Sequence, residues 1–276
     1  MTDHYAVIGN PIAHSRSPAI HAAFAAQTGQ DIRYQALFSP LDAFEAVVQG
    51  FAVGGGRGMN VTLPFKEQAF ALAGHRSPRA QAAGAANTLI FDAQGITADN
   101  TDGVGLVRDL TGRHRLALAG MPVILLGAGG AAGGVILPLL AAGASRVLVV
   151  NRTAGRALQL VERFRPSPVE GLGFPDLDPA LAEGALLVNA TSAGLAGHDL
   201  PVTGAVFARA AFVYDMVYGA QATPFLRQAA AAGARACADG LGMLVEQAAE
   251  SFRLWRGVQP DTDPVFRGLR EAIGAQ

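Results

Sequence analysis

A continuous apolar run at residues 123–126, Val-Ile-Leu-Leu, leads into Gly127-Ala128-Gly129-Gly130-Ala131-Ala132, and this junction constrains the fold more than any other stretch of the chain. A run with no polar alternation is what a strand buried on both faces requires. A helical pattern follows to about residue 142, and a second apolar run occupies residues 146–150. Strand, tight turn, helix and strand at this spacing make a βαβ unit, and therefore a parallel sheet. Gly127 permits the turn, Gly129 lets the backbone approach a pyrophosphate, and small Ala132 lets the helix close on the strand. Free N–H groups at the helix N-terminus, backed by the helix dipole, then face the phosphates.

The end of the second strand sharpens this reading. A site that selects NAD places a carboxylate there to accept hydrogen bonds from the ribose hydroxyls. This chain has Asn151-Arg152-Thr153, with Arg156 shortly after. Two guanidinium groups and no carboxylate suit a phosphate dianion, which favours NADP(H). A competing reading has Asn151 and Thr153 capping the next helix, with both arginines solvated.

The remaining pattern is also of α/β type. Residues 5–8, 34–38 and 59–62 read as strands, with helices over 19–27 and 41–49 between them. Residues 87–91 and 95–98 read as a strand pair joined by 92–94, and further strands are predicted at 186–189 and 212–215. Residues 242–252 and 264–273 are helical, broken at 257–260. The fold class is α/β in two domains. Residues 1–103 are expected to form a mostly parallel α/β unit (the substrate-binding domain, by the resemblance described below), 104–240 a Rossmann-type dinucleotide-binding unit, and 241–276 helices that pack back on the first.

Composition narrows the function classes. A 276-residue chain with 50% hydrophobic and 16% charged residues has ample material for buried sheets. A net charge of −1 gives no electrostatic reason for nucleic acid or anionic membrane as a partner. The single Cys237 excludes an internal disulfide framework and a cysteine-rich zinc site. No apolar run reaches the ~18 residues of a membrane span, and the N-terminus lacks a signal-peptide pattern. A soluble cytoplasmic protein is expected.

Lys66 is the only lysine; the other twenty cationic side chains are arginine. Arginine stays charged at any working pH, whereas lysine can exchange a proton, so Lys66 is a candidate for proton chemistry. The competing reading is a solvated surface group. Lys66 follows Asn60-Val61-Thr62-Leu63-Pro64-Phe65 at the start of a predicted helix. Asn60, Thr62 and Asn87 supply neutral hydrogen-bonding groups at strand ends, where ligands gather in α/β sheets. Such a set suits a polyhydroxylated substrate. Ser15 and Ser17 flank Arg16 ahead of Pro18, and two serines so placed also read as helix caps. Asp102, in Asp99-Asn100-Thr101-Asp102-Gly103, reads either as a helix N-cap or as a carboxylate partner for Lys66.

Taken together, residues 9–18, Asn60 to Lys66, Ala86-Asn87-Thr88, Asp99 to Gly103, Asn151-Arg152-Thr153 and Ala238-Asp239-Gly240-Leu241-Gly242-Met243 resemble the motif series of shikimate dehydrogenases, in the family's order and over nearly the whole chain. The resemblance implies reversible reduction of 3-dehydroshikimate to shikimate with NADPH, on the route to chorismate and the aromatic amino acids. Lys66 and Asp102 match the catalytic pair. Ser15, Ser17, Thr62, Asn87, Tyr218 and Gln247 match shikimate-binding groups, to which Asn60 and Asp102 are added as neighbours. Gly127, Ala128, Gly129, Gly130, Ala131, Asn151, Arg152, Thr153, Arg156, Met216 and Gly240 match cofactor contacts. The stretch Tyr218-Gly219-Ala220-Gln221-Ala222-Thr223-Pro224 departs from the family in lacking a basic residue often found there. Both serines are retained, which resembles shikimate enzymes more than quinate-preferring relatives.

The alternatives are a quinate or dual quinate/shikimate dehydrogenase and, from another class, a non-catalytic NADP(H)-binding sensor on the same fold. No metal is expected, since His4, His14, His21, His75, His114 and His198 show no paired ligand spacing. A Ser/His/Asp hydrolase lacks its G-x-S-x-G elbow. Monomer and homodimer both remain open.

Overall fold

The computed structural model describes residues 2–180, 183–191 and 199–275. Twelve strands among them form two six-stranded sheets. The first holds β1 (Asp3–Gly9), β2 (Ile32–Phe38), β3 (Gly56–Val61), β4 (His75–Arg76), β5 (Thr88–Asp92) and β6 (Gly95–Asp99), in the order β2-β1-β3-β5-β6-β4. β1 pairs in parallel with β2 and β3, the crossovers being α1 (Ser17–Thr28) and α2 (Phe44–Val53). β5 runs antiparallel to both β3 and β6, so the hairpin expected at 87–98 forms. Two short helices, α3 (Lys66–Leu72) and α4 (Pro78–Ala83), flank β4.

α5 (Asp102–Arg108) and a π turn at Asp109–Arg113 lead to the second sheet. It holds β7 (Pro122–Leu126), β8 (Arg146–Asn151), β9 (Val169–Gly173), β10 (Leu186–Asn189), β11 (Phe212–Asp215) and β12 (Cys237–Asp239). All are parallel, in the order β12-β11-β10-β7-β8-β9. Helices α6 (Gly130–Ala141), α7 (Ala154–Glu162), α8 (Leu177–Ala180), α9 (Gly204–Arg209) and α10 (Pro224–Ala231) accompany these strands. The chain moves outward from β7 to β9, returns to the centre at β10, and moves outward on the other side. β7 and β10 are therefore adjacent strands at which the strand order reverses, and a crevice at such a switch point is the position where ligands bind in sheets of this type.

Apolar side chains cover both faces of the second sheet, with Val123, Leu125, Val147 and Val149 on one side and Ile124, Leu126, Leu148 and Val150 on the other. That division is the physical reason for the unbroken apolar runs. The last two helices, α11 (Leu241–Arg256) and α12 (Asp263–Gly274), return to α1. Leu241, Val245 and Phe252 of α11 and Val265, Leu269 and Ile273 of α12 share one core with Ile20 and Phe24. On α11, Trp255 stacks on Tyr5 at 4.7 Å and donates from Nε1 to the Leu89 carbonyl at 3.0 Å. One turn away the buried Glu250 accepts from Arg79 and Arg253 at 2.9 and 2.8 Å and from Arg108 at 3.0 Å.

The two halves meet through α4, α5 and α6. A Cβ on Gly103 would overlap Pro138 Cγ and the Gly134 carbonyl oxygen, so α5 and α6 touch backbone to backbone only because that residue is glycine. Some elements differ from the sequence expectation. α2 starts at Phe44 rather than at residue 41, because residues 40–43 are spent in a turn closed by Ala43 N–H to Pro40 C=O at 3.2 Å. α11 runs on to Arg256, where Gly257 ends it in the left-handed region. The short strands β4, β9 and β12 carry too few apolar residues to show a period.

Candidate active site

Lys66 is the first residue of α3 and Asp102 the first of α5. They are far apart in sequence and in contact in space: Lys66 Nζ donates to Asp102 Oδ2 at 2.5 Å. The lysine side chain is 18% exposed and the carboxylate 6%, so the pair is open to a small ligand from the lysine side only. Asp102 begins the helix rather than preceding it, and Thr101 in the preceding position makes no side-chain cap. The carboxylate is thus free for Lys66 and Asn87 and does no capping.

Asn87 is the hub behind the pair. Its Nδ2 donates to Asp102 Oδ1 at 2.8 Å, with Thr101 Oγ1 at 2.9 Å and Gln247 Oε1 at 3.1 Å also in reach. Its Oδ1 accepts from Thr101 N–H at 2.8 Å and from Thr88 Oγ1 at 2.9 Å. Asn60, 6% exposed, lies one step further in. Its Nδ2 faces Ser251 Oγ at 3.0 Å, Thr88 Oγ1 at 3.2 Å and the Asn87 carbonyl at 3.2 Å. Four of the sequence-derived residues, Lys66, Asp102, Asn87 and Gln247, are therefore directly bonded into one cluster, and Asn60 joins it through Asn87.

The serine loop stands at the C-terminal end of β1. Ser17 is buried and opens α1, while Ser15 Oγ accepts from Ser17 N–H at 3.3 Å. Arg16 occupies the position before the helix and its own side chain makes no cap, so of the two serines only Ser15 serves a helix N–H, that of Ser17. Thr62 follows the end of β3, and a Cβ on Gly9 would lie 2.5 Å from its Cγ2, which brings Thr62 against the root of the serine loop. Tyr218 packs on the core shared by α1 and α11. Burial raises its phenol pKa, and the nearby Arg16 guanidinium works against that shift.

On the other side of the cluster is the glycine turn. Gly127 adopts φ +109°, a conformation that glycine takes without strain, and its N–H donates to the Val150 carbonyl at 2.8 Å. The N–H groups of the first turn of α6 have no acceptor within the helix. A Cβ placed on Gly130 would lie 2.9 Å from Ala85 Cβ and 4.0 Å from Lys66 Cβ, so this helix N-terminus lies beside the lysine. At the end of β8, Asn151 Nδ2 donates to the Thr153 carbonyl at 3.0 Å. Thr153 precedes α7 without a side-chain cap. Arg152 and Arg156 are exposed, without an ion-pair partner among the described residues. Thr153 therefore does no capping, and the two exposed guanidinium groups are open to solvent and to a phosphate alike. Met216 N–H donates to the Asn189 carbonyl at 3.0 Å, and a Cβ on Gly240 would overlap the Met216 carbonyl oxygen. Met216 and Gly240 are thus neighbours at the same crevice.

Sequence reasoning missed the residues that hold these groups. Buried Asn189 donates from Nδ2 to Asp215 Oδ1 at 2.9 Å, and Asp215 in turn accepts from Val217 N–H at 3.1 Å. Burial raises the Asp215 carboxyl pKa, opposed by the hydrogen bond from Thr223. This cluster shapes the turn that carries Met216 and Tyr218. Its only sequence signal is a polar residue ending each of two otherwise apolar strands. His14 is exposed, and His198 lies outside the described residues. Among the described residues no group of three His, Cys, Asp or Glu side chains is placed to hold a metal ion.

Known proteins resemble this chain over nearly its whole length. Residues 7–89 match the family model described as the shikimate dehydrogenase substrate binding domain, 110–196 that of shikimate / quinate 5-dehydrogenase, and 240–265 that of the shikimate 5'-dehydrogenase C-terminal domain. The shikimate dehydrogenase (NADP(+)) of Janthinobacterium sp. (strain Marseille) is 55% identical over 273 residues, covering 99% of this chain and 98% of that protein. The crystal structure of shikimate 5-dehydrogenase from Thermus thermophilus in complex with NADP(H) and shikimate superposes with a TM-score of 0.86 at 37% identity, over 98% of this chain and 100% of that one. An Ael1 enzyme from Pseudomonas putida superposes with a TM-score of 0.90 at 46% identity, over 97% of this chain and 98% of that one.

Proposed function

The chain belongs to the shikimate dehydrogenase family, and from that premise we propose that it interconverts 3-dehydroshikimate and shikimate with NADP(H), as an oxidoreductase acting on a CH–OH group. The observation that carries the reading is the Lys66–Asp102 pair beside the N-terminus of α6. It puts a proton-carrying group next to the turn built for a dinucleotide.

Each part of the site takes a role. The turn Gly127-Ala128-Gly129-Gly130-Ala131 holds the pyrophosphate, Asn151, Arg152, Thr153 and Arg156 the phosphorylated ribose, and Met216 and Gly240 the nicotinamide end. When bound, NADPH supplies the hydride that the substrate carbonyl carbon receives. Lys66 Nζ gives its proton to the oxygen of that carbonyl as it becomes a hydroxyl, and takes it back in the reverse direction. Asp102 Oδ2 holds Nζ in place, and Asn87 Nδ2 holds the carboxylate from behind. Ser15, Ser17, Asn60, Thr62, Asn87, Asp102, Tyr218 and Gln247 line the substrate position. A ligand rich in hydroxyls is favoured there because an analogue missing one leaves a buried polar group unpaired.

The same reading assigns residues 1–103 to substrate binding, 104–240 to the cofactor and 241–276 to helices that close over the first unit. The positions of the sheet strands, Asp3–Gly9 to Gly95–Asp99 and Pro122–Leu126 to Cys237–Asp239, support that division. No helix among the described residues is long and apolar enough to cross a membrane, and a cytoplasmic place in aromatic amino-acid biosynthesis accords with the chemistry. The test is NADP⁺ reduction followed by the absorbance of the reduced nicotinamide, with shikimate and then quinate, and with NAD⁺ in parallel. The highest kcat/KM is expected for shikimate with NADP⁺. Preference for quinate with NAD⁺ would refute the assignment.

A further inference from the structure

The geometry points to Tyr34 as a positioning residue for this reaction: its hydroxyl sets the direction of a hydrogen-bond relay that runs through Asn60 to Asn87 and Gln247. The inference rests on the function proposed above. Tyr34 Oη donates to Asn60 Oδ1 at 2.8 Å. With the amide oxygen so engaged, Asn60 turns its Nδ2 towards Ser251 Oγ at 3.0 Å and Thr88 Oγ1 at 3.2 Å. A hydroxyl has one proton to give. Having accepted from Asn60, Ser251 passes its proton to Thr88 Oγ1 at 2.8 Å, and Thr88 passes its own to Asn87 Oδ1 at 2.9 Å. Asn87 Oδ1 is then committed, so Nδ2 is the end that faces Asp102 Oδ1 at 2.8 Å and Gln247 Oε1 at 3.1 Å.

Reversing the Asn60 amide would undo each link. Its carbonyl oxygen would face the Asn87 carbonyl oxygen, now 3.2 Å from Nδ2, and two acceptors in contact with no proton between them repel. Both hydroxyls would have to turn round. Buried networks of this kind are rigid when fully satisfied and costly when one member is wrong. Tyr34 stands at the head of the relay, and its ring is held in place by a stacked neighbour. His21 stacks on it with ring centroids 4.2 Å apart and planes 6° from parallel. His21 is fully buried against Phe24, Phe252 and Trp255. Burial pushes its pKa down to about 3, so it is a neutral plate at working pH. Burial likewise holds the Tyr34 phenol well above its usual pKa, the hydrogen bond with Ser17 opposing, so the donor proton stays in place.

Tyr34→Phe removes the donor and keeps the stack. With shikimate and NADP⁺ as substrates, KM for shikimate should rise about tenfold, as the loss of one net hydrogen bond implies. KM for NADP⁺ should stay within about twofold of wild type on the same argument, because no relay member is among the cofactor-binding residues. Ser251→Ala, which cuts the relay at its middle, should give the same split. Asn60→Ala combined with Tyr34→Phe should be no worse than Asn60→Ala alone, since the two act through one path. An unchanged KM for shikimate in Tyr34→Phe, effects that multiply in the double variant, or a loss confined to kcat would each overturn the inference. A wild-type protein with no shikimate-dependent turnover would instead sink the functional reading beneath it, whereas an active wild type beside an unaffected Tyr34→Phe removes the relay alone.

Discussion

Glu250 offers a direct test of what fastens α11 over the first sheet. Its side chain is 3% exposed, yet it is ionised among Arg79, Arg108 and Arg253. Burial works against the charge, and is outweighed by hydrogen bonds from Arg253 and Arg79 and by attraction to Arg108, leaving the pKa at about 2 against an ordinary 4.5. At about 1.4 kcal/mol per pH unit this depression corresponds to roughly 3 kcal/mol of stability. Arg108 and Arg253 are 38% and 42% exposed, so water screens part of it. The expected contribution is therefore about 2 kcal/mol or a little more. Glu250→Gln keeps the shape and removes the charge. Because the folded-state pKa is depressed, the contribution is full above the unfolded value and is lost as pH falls towards the folded one. Trp255, the one tryptophan, lies on α11 and reports its release. Urea unfolding followed by its fluorescence should find Glu250→Gln weaker than wild type by about 2 kcal/mol at neutral pH. The gap should shrink by about 1 kcal/mol near pH 3.5. A gap that stays constant across that range would refute the electrostatic account, and a gap below about 0.5 kcal/mol at neutral pH would refute the magnitude.

Two further outcomes bear on the site itself. Lys66→Ala should lower kcat about a thousandfold, roughly 4 kcal/mol of transition-state stabilisation, with both KM values within a few fold; a near-normal kcat in steady-state assays would remove Lys66 from the chemistry and favour the sensor reading. Arg152→Ala with Arg156→Ala should raise KM for NADP⁺ about tenfold or more while leaving NAD⁺ kinetics nearly unchanged, since only the phosphate dianion loses partners. Equal losses with both cofactors would show that the arginines serve the fold and not the phosphate.

The parts of this molecule that were legible in the sequence share a physical cause. Residues 123–126 and 146–150 have to be apolar throughout because helices cover both faces of their sheet, and Gly127 has to be glycine because it sits at φ +109°. Such constraints act locally and leave a local mark. Three-dimensional constraints leave none. Nothing in residues 32–38 marks Tyr34 as the residue that reaches Asn60, and nothing in α11 separates Ser251 from a helix serine facing solvent. Their roles exist only once β2, β3 and α11 are brought together. Lys66 lies between these cases. Its rarity drew attention, but a lone lysine among arginines is equally consistent with a solvated side chain. The juxtaposition of the first residues of α3 and α5 is what converts it into half of a 2.5 Å ion pair. Gly103 belongs to the same class, since only the approach of α6 leaves no room there for a Cβ. The proposed reacting groups could therefore be nominated from sequence, whereas the residues proposed to aim them follow only from the packing of α11 on the first sheet.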